Sequence, residues 1–179
     1  IYDNARIGLV VPEYVTIRSI EELNEHKELF SGKIIGIDAG AGIMKTTEKA
    51  LDNYGLDYKL MTASAPAMTT SLEKAIQKKE WIVVTGWTPH WMFGRYKLKV
   101  LDDPKPIYGK AESIHTVTWK GFSEKDPFAA ELLRNIRLTD RQISSLMTAV
   151  EKTQKTETYA ARQWIKAHQT LVDSWIPMK

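Results

Sequence analysis

Lys33-Ile34-Ile35-Gly36-Ile37-Asp38-Ala39-Gly40-Ala41-Gly42-Ile43-Met44 is an apolar run, then a turn of small residues, then the start of a helix. The run predicts a buried strand over Lys33–Asp38, since Ile34, Ile35 and Ile37 leave no polar face. Ala39–Gly42 reads as a glycine-rich turn. Ile43–Tyr54 follows as a helix, with Thr47, Ala50, Leu51 and Tyr54 at helical spacing and Gly55 where a left-handed terminator belongs. Working outward, the alternation continues. Tyr58–Thr62 predicts a strand, and Ser64-Ala65-Pro66 opens a helix through Leu72, Ala75 and Ile76. Ile82–Thr85 predicts the next strand, with Trp87 just past its end. Trp91–Arg95 reads as a helical turn and Leu98–Leu101 as a short strand before the turn Asp102-Asp103-Pro104. Upstream, Arg6–Val11 is a strand ended by Pro12, and Ser19-Ile20-Glu21-Glu22 is a capping box opening a helix of about two turns to Phe30. Roughly residues 17 to 108 therefore alternate strand and helix, which implies an α/β fold with a mainly parallel sheet covered on both faces.

The pattern then changes. Ser113–Trp119 alternates like a half-exposed strand, with His115 read as a buried histidine. After Gly121 the chain is helical. Asp126-Pro127 starts one helix, and Thr139-Asp140-Arg141-Gln142 is a second capping box heading Ile143, Leu146, Met147 and Val150. A last helix from about Glu157 carries Ala160, Trp164, Ala167, Leu171 and Trp175 on one stripe. These helices have apolar faces but no strands of their own to cover. Leu132, Leu146 and Trp164 are expected to be partly uncovered or paired with another copy.

Composition narrows the function classes. Of the 179 residues 43% are hydrophobic and 26% charged, ordinary for a globular protein, and the net charge of +3 is too small and too evenly spread to argue for nucleic acid. The longest basic cluster is Lys78-Lys79. No apolar run approaches the ~18 residues needed to span a membrane. The absence of cysteine excludes disulfides and thiol catalysis, and is compatible with export. A first residue of Ile1 leads to the expectation that the chain is part of a longer one.

Two stretches carry chemistry. At Gly40-Ala41-Gly42-Ile43 the first amides of a helix face the crevice beyond a strand end, a setting suited to a carboxylate or phosphate; a tight turn without a ligand is the competing reading. The stretch is neither a dinucleotide fingerprint, since Lys45 takes the third glycine's place, nor a phosphate loop. Thr85-Gly86-Trp87-Thr88-Pro89-His90-Trp91 delivers aromatic rings to a strand end. Trp87 there reads as a wall for a cation against its indole face, ahead of core filler. Trp91 and His90 read as support. His90 has no second histidine or carboxylate pair at metal spacing, so no metal site is expected. Asp38 is read as closing the glycine turn. No nucleophile, base and oxyanion donors assemble, so no catalytic residue and no cofactor is assigned. The alternative from another class is an α/β enzyme acting on a small anion at Gly40–Ile43, with only Asp38 and His90 to serve as base.

Several motifs in order resemble a family: Gly-Leu-Val-Val-Pro-Glu-Tyr (8–14), Gly-Ile-Asp-Ala-Gly-Ala-Gly-Ile-Met (36–44), Thr-Gly-Trp-Thr-Pro-His-Trp-Met-Phe (85–93), Leu-Asp-Asp-Pro (101–104) and Ile-His-Thr-Val (114–117). The chain resembles, over essentially its whole length, the glycine betaine/proline betaine-binding proteins of osmoprotectant ABC importers. That resemblance implies a type II periplasmic-binding-protein fold whose two α/β lobes close on a quaternary ammonium ligand. It implies that Gly42 and Ile43 supply amides to the ligand carboxylate, with Trp87 as one wall of an aromatic cage and Ala41, His90 and Trp91 around them. It further implies ABC permease and ATPase partners, and a location in the periplasm or at the outer face of the cell membrane, free or lipid-anchored. Choline or carnitine is the alternative ligand. The family's further cage tryptophan on a strand of the other lobe, and its tryptophan- and histidine-bearing segment, are not matched here, and His90 does not stand in for that histidine. The expected organisation is a crossing strand (1–16), a complete α/β lobe (17–110), a return strand (111–121) and helices of an incomplete second lobe (122–179), with self-association through the uncovered face.

Overall fold

Parallel strands cannot be joined by hairpins, so each pair needs a crossover, and the predicted helices serve as the crossovers. The computed structural model describes residues 1–178. Its elements in order are β1 (Tyr2–Pro12), β2 (Lys33–Ile35), α1 (Gly42–Tyr54), β3 (Lys59–Met61), α2 (Ala65–Lys78), β4 (Val84–Thr88), α3 (Met92–Arg95), β5 (Leu98–Val100), β6 (Glu112–Ile114), α4 (Phe122–Lys125), α5 (Pro127–Asn135), α6 (Asp140–Lys152), α7 (Glu157–Ala167) and α8 (Gln169–Asp173). They divide into two compact units. A sheet unit holds Arg6–Thr88 and Tyr96–Lys110; a helical unit holds Ile1–Ala5, Pro89–Arg95 and the described residues from Ala111 onward.

In the sheet unit the strand order is β3-β2-β4-β1-β5. β2 runs parallel to β3 and to β4, whereas β1 is antiparallel to both β4 and β5. Moving from β2 out to β3 and then back past β2 to β4 reverses the winding direction. Right-handed crossovers therefore place α1 and α2 on opposite faces. The strands between them are apolar on both sides: Leu9, Val10, Val11, Ile34 and Val84 are wholly buried, and Met44 and Ala50 of α1 and Met68 and Leu72 of α2 are buried as well. Gly36 is required by close approach, since a Cβ there would collide with the Met44 thioether and sit 3.2 Å from the Met61 carbonyl.

Several strands and helices depart from the sequence reading for non-local reasons. β4 extends through Thr88, so Trp87 lies within the strand and not past its end. β1 supplies the missing partners, with Arg6 opposite Thr88 and Ile7 opposite Trp87. β2 leaves its ladder after Ile35, although Gly36 still donates to the Met61 carbonyl at 2.8 Å. The Ser19 capping box forms, with the Glu22 carboxylate accepting from the Ser19 amide at 2.8 Å. It opens two 3-10 turns, Ile20–Glu22 and Asn24–His26, in place of a two-turn α-helix. The side chain of Asn24 ties these turns to the end of α1, donating to the Gly55 carbonyl at 2.8 Å and accepting from the Asp57 amide at 3.0 Å.

In the helical unit only Glu112–Ile114 of the expected strand pairs, with the first residues of β1 (Tyr2 opposite Ile114, Ala5 opposite Glu112). His115, expected to be buried, is exposed once the chain leaves that ladder. The Thr139/Gln142 capping box heads α6 as expected. α6 packs against α3 and α7. Gly94 of α3 permits the first of these contacts, because a Cβ would run into the Ser144 carbonyl at 2.8 Å. Trp164 of α7 is covered, at 5% exposure. Its indole donates to Ser145 Oγ at 3.2 Å and stacks on His168 at 4.0 Å. Leu132 and Leu146 are half-buried.

Candidate functional site

In an open parallel sheet the ligand crevice lies beyond the carboxyl ends of the strands, where the winding direction reverses. Here that point falls between β2 and β4. Ile35, the last residue of β2, is in register with Val84, the first residue of β4. Trp87 is three residues further on, about 10 Å along the strand. From the same end of β2 the chain passes through Asp38–Ala41 into α1, which packs on β4. The topology therefore sets the start of α1 and the indole of Trp87 at the same edge of the sheet. Trp87 is half-buried, and Gly40 and Gly42 are exposed with nothing within 4 Å of where a Cβ would stand.

The start of α1 differs from the other long helices. Ser64, Asp126, Thr139 and Thr156 each cap their helix through a side-chain oxygen, whereas Ala41 caps α1 with no side-chain hydrogen bond and no acid lies in its first turn. The Asp38 carbonyl closes the turn by accepting from the Ala41 amide at 2.9 Å, and the Ala41 carbonyl accepts from Met44 at 3.0 Å. The amides of Gly42 and Ile43 belong to the helix's orphan donors, at the positive end of its dipole. No side chain among the described residues caps them. An amide pair at a positive helix end offers donors to an anion, and an indole offers a π face to a cation; the two together suit a zwitterion.

His90 and Trp91 fall in the helical unit. His90 is buried and its Nδ1 accepts from the Met92 amide at 3.2 Å, so that nitrogen is unprotonated. Burial holds the imidazole below its usual range. Its ring lies 5.3 Å from that of Trp91, whose face is also approached by the Arg95 guanidinium at 5.9 Å. Both residues thus have structural contacts within their own unit. Asp38 is exposed. No cluster of three or more metal-ligating side chains occurs among the described residues. The sequence reading missed Tyr108 and Thr47. Tyr108 is buried, and its hydroxyl donates to Thr47 Oγ1 at 2.9 Å on the inner side of α1. The helical spacing of Thr47 signalled burial, but nothing local pairs it with a residue sixty-one positions away.

The family model described as the substrate binding domain of the ABC-type glycine betaine transport system matches residues 1–167, and the chain belongs to that family. It is 48% identical over 145 residues to the glycine betaine/carnitine transport binding protein GbuC of Listeria monocytogenes, covering 79% of this chain and 48% of that protein. The chain thus spans about half the length of this curated relative. Among solved structures it is similar to the glycine betaine/L-proline-binding protein ProX of Borrelia burgdorferi, with 40% identity, 98% of this chain and 67% of that one covered, and a TM-score of 0.73. It is also similar to lactococcal OpuAC in its closed form complexed with glycine betaine, with 40% identity, coverage of 98% and 68%, and a TM-score of 0.74. The fold is that of the type II periplasmic binding proteins.

Proposed function

We propose that this chain supplies one side of a binding site for glycine betaine or a related quaternary ammonium compound, for uptake by an ABC importer. The observation that carries the reading is the uncapped start of α1 at the strand edge that also bears Trp87. In this reading Gly42 and Ile43 donate their amides to the ligand carboxylate. Trp87 presents its indole to the trimethylammonium group, which has no N–H to donate and is well matched to an aromatic face. Ala41 serves by having no side-chain oxygen to occupy the amides. The sheet unit acts as one ligand lobe, and the helical unit belongs to the second. The reaction is capture and release, without covalent chemistry. The partners are the permease and ATPase subunits, and the place of action is extracytoplasmic. Among the described residues no helix is long and apolar enough to cross a membrane.

Carnitine is the second reading, favoured by the name of the Listeria relative. It carries both a carboxylate and a trimethylammonium group, so it uses the same two features. Choline lacks the carboxylate and leaves the α1 amides without a charged partner. Calorimetric titration of the full gene product with all three compounds tests the proposal. Binding of glycine betaine or carnitine at least ~10-fold tighter than choline, about 1.4 kcal/mol, is expected. Equal affinity for choline removes the role assigned to Gly42 and Ile43.

A further inference from the structure

An uncapped helix start frays, and a frayed start makes a poor anion seat because the amides must be ordered on binding. α1 lacks a side-chain cap, yet its first turn is tied from the other side. Thr46 Oγ1 donates to the Gly42 carbonyl at 3.1 Å and Thr47 Oγ1 to the Ile43 carbonyl at 2.8 Å. Thr47 Oγ1 in turn accepts from the Tyr108 hydroxyl at 2.9 Å, in a buried setting. Tyr108 is held by its amide, which donates to Asp103 Oδ2 at 2.7 Å. The other oxygen of Asp103 accepts from the Tyr54 hydroxyl at 2.6 Å, at the far end of the same helix. Tyr54 Oη also accepts from the Lys105 amide at 2.7 Å. One loop, Asp103–Tyr108, thereby holds α1 at Tyr54 in its last turn and at Thr47 in its second, and reaches the Ile43 carbonyl of the first turn through the Thr47 hydroxyl.

We infer that the Asp103–Tyr108 loop is a positioning strap for the anion seat, in which the Tyr108–Thr47–Ile43 hydrogen-bond chain takes the place of a helix cap. A conventional cap occupies the amides of the first turn. A tie made to the carbonyls orders the same turn and leaves those amides for a ligand. Hydroxyls in series polarise one another, and all three members lie out of water, where such bonds are strongest. Burial raises the Tyr108 phenol far above its usual range, so the hydroxyl remains a donor at every physiological pH. The strap makes no contact with the ligand in this scheme. Tyr108, Thr47 and Asp103 are positioning residues.

The inference rests on the reading of Gly42 and Ile43 as a carboxylate seat, and its test separates the two. Tyr108→Phe and Thr47→Val are made in the full gene product, and two quantities are measured. The first is amide hydrogen exchange at Lys45–Thr47, which needs no ligand; exchange is expected to quicken by ~3- to 10-fold in each variant, the effect of one lost hydrogen bond. The second is affinity for glycine betaine and for choline. Glycine betaine is expected to weaken by ~5-fold and choline by less than ~2-fold, since only the former uses the amides. Unchanged exchange, or equal losses for both ligands, overturns the strap. If the unmodified protein binds neither ligand, the carboxylate seat fails, and exchange alone then decides whether the strap orders the turn. Thr47→Val keeps side-chain volume and guards against a Tyr108→Phe protein that unfolds.

Discussion

In the sheet unit Leu9, Ile34, Leu72 and Val83 are wholly buried, while in the helical unit Val117 is 90%, Trp119 56% and Phe128 50% exposed. Both units carry helices with an apolar face, so the presence of large apolar side chains does not by itself separate them. Position in the layering does. A strand between two crossover helices has both faces covered, and so each of its apolar side chains gains the full transfer energy of ~1.5–3 kcal/mol. In the helical unit α3, α6 and α7 cover one another along a seam that includes Met92, Ile143 and Trp164, and faces away from that seam stay open. The sheet unit therefore has a core covered on both faces behind its strand ends. The helical unit has its own ordered seam and an apolar surface besides.

Truncations in the two units are expected to weigh differently. Leu72→Ala is expected to lower stability by ~2–5 kcal/mol, against less than ~0.5 kcal/mol for the half-exposed Phe128→Ala, as read by urea unfolding. Similar losses would mean that the helical face is as well packed as the sheet. Next in size is Trp87→Ala, expected to weaken glycine betaine binding by ~30-fold in the full gene product, the ~2 kcal/mol of a desolvated cation–π contact. Tryptophan emission and calorimetry report it, and an unchanged affinity would return Trp87 to core filler.

Ala41→Asp sharpens the contrast between α1 and the capped helices. It gives α1 the side-chain acceptor that Ser64 provides for α2, whose hydroxyl accepts from the Ala67 amide at 3.3 Å. The variant is expected to gain up to ~1 kcal/mol of stability while losing glycine betaine affinity, because the carboxylate fills the seat. A gain in stability with binding intact would show that the amides are not the seat. The smallest effect concerns His90. Its native pKa lies below the usual 6.5, so the unfolded chain binds the proton more readily. Its contribution is present in full above pH ~6.5 and is lost as pH falls through that value toward the native pKa. His90→Gln is expected to flatten the stability profile between pH 7 and 5; parallel profiles would contradict this.

Much of this architecture was readable in the chain. The strand–turn–helix of residues 33–54, both capping boxes and the helical character after Gly121 follow from short-range rules, and the structure contains them. The uncapped amides of Gly42 and Ile43 that the proposed seat uses were legible for the same reason, since a glycine turn between a strand and a helix leaves amides at the helix start whatever surrounds it. Trp87 was legible as an aromatic near a strand end. Its place within β4 was not, because the pairing that extends the strand comes from Ile7 and Arg6.

The amino-acid sequence by itself determined local periodicity, turn chemistry and helix starts, because these depend on contacts within a few residues. Only the tertiary structure decided which strands lie side by side, that the winding reverses between β2 and β4, and that Tyr108 reaches Thr47 across sixty-one positions. Those outcomes are set by which buried faces can be covered together, a cooperative property of the packed layers that no single segment contains. The amides at the start of α1 exist because of the residues around Gly42. Their place at the strand edge that bears Trp87, and the hydrogen-bond chain from Tyr108 through Thr47 to Ile43, exist because of the fold.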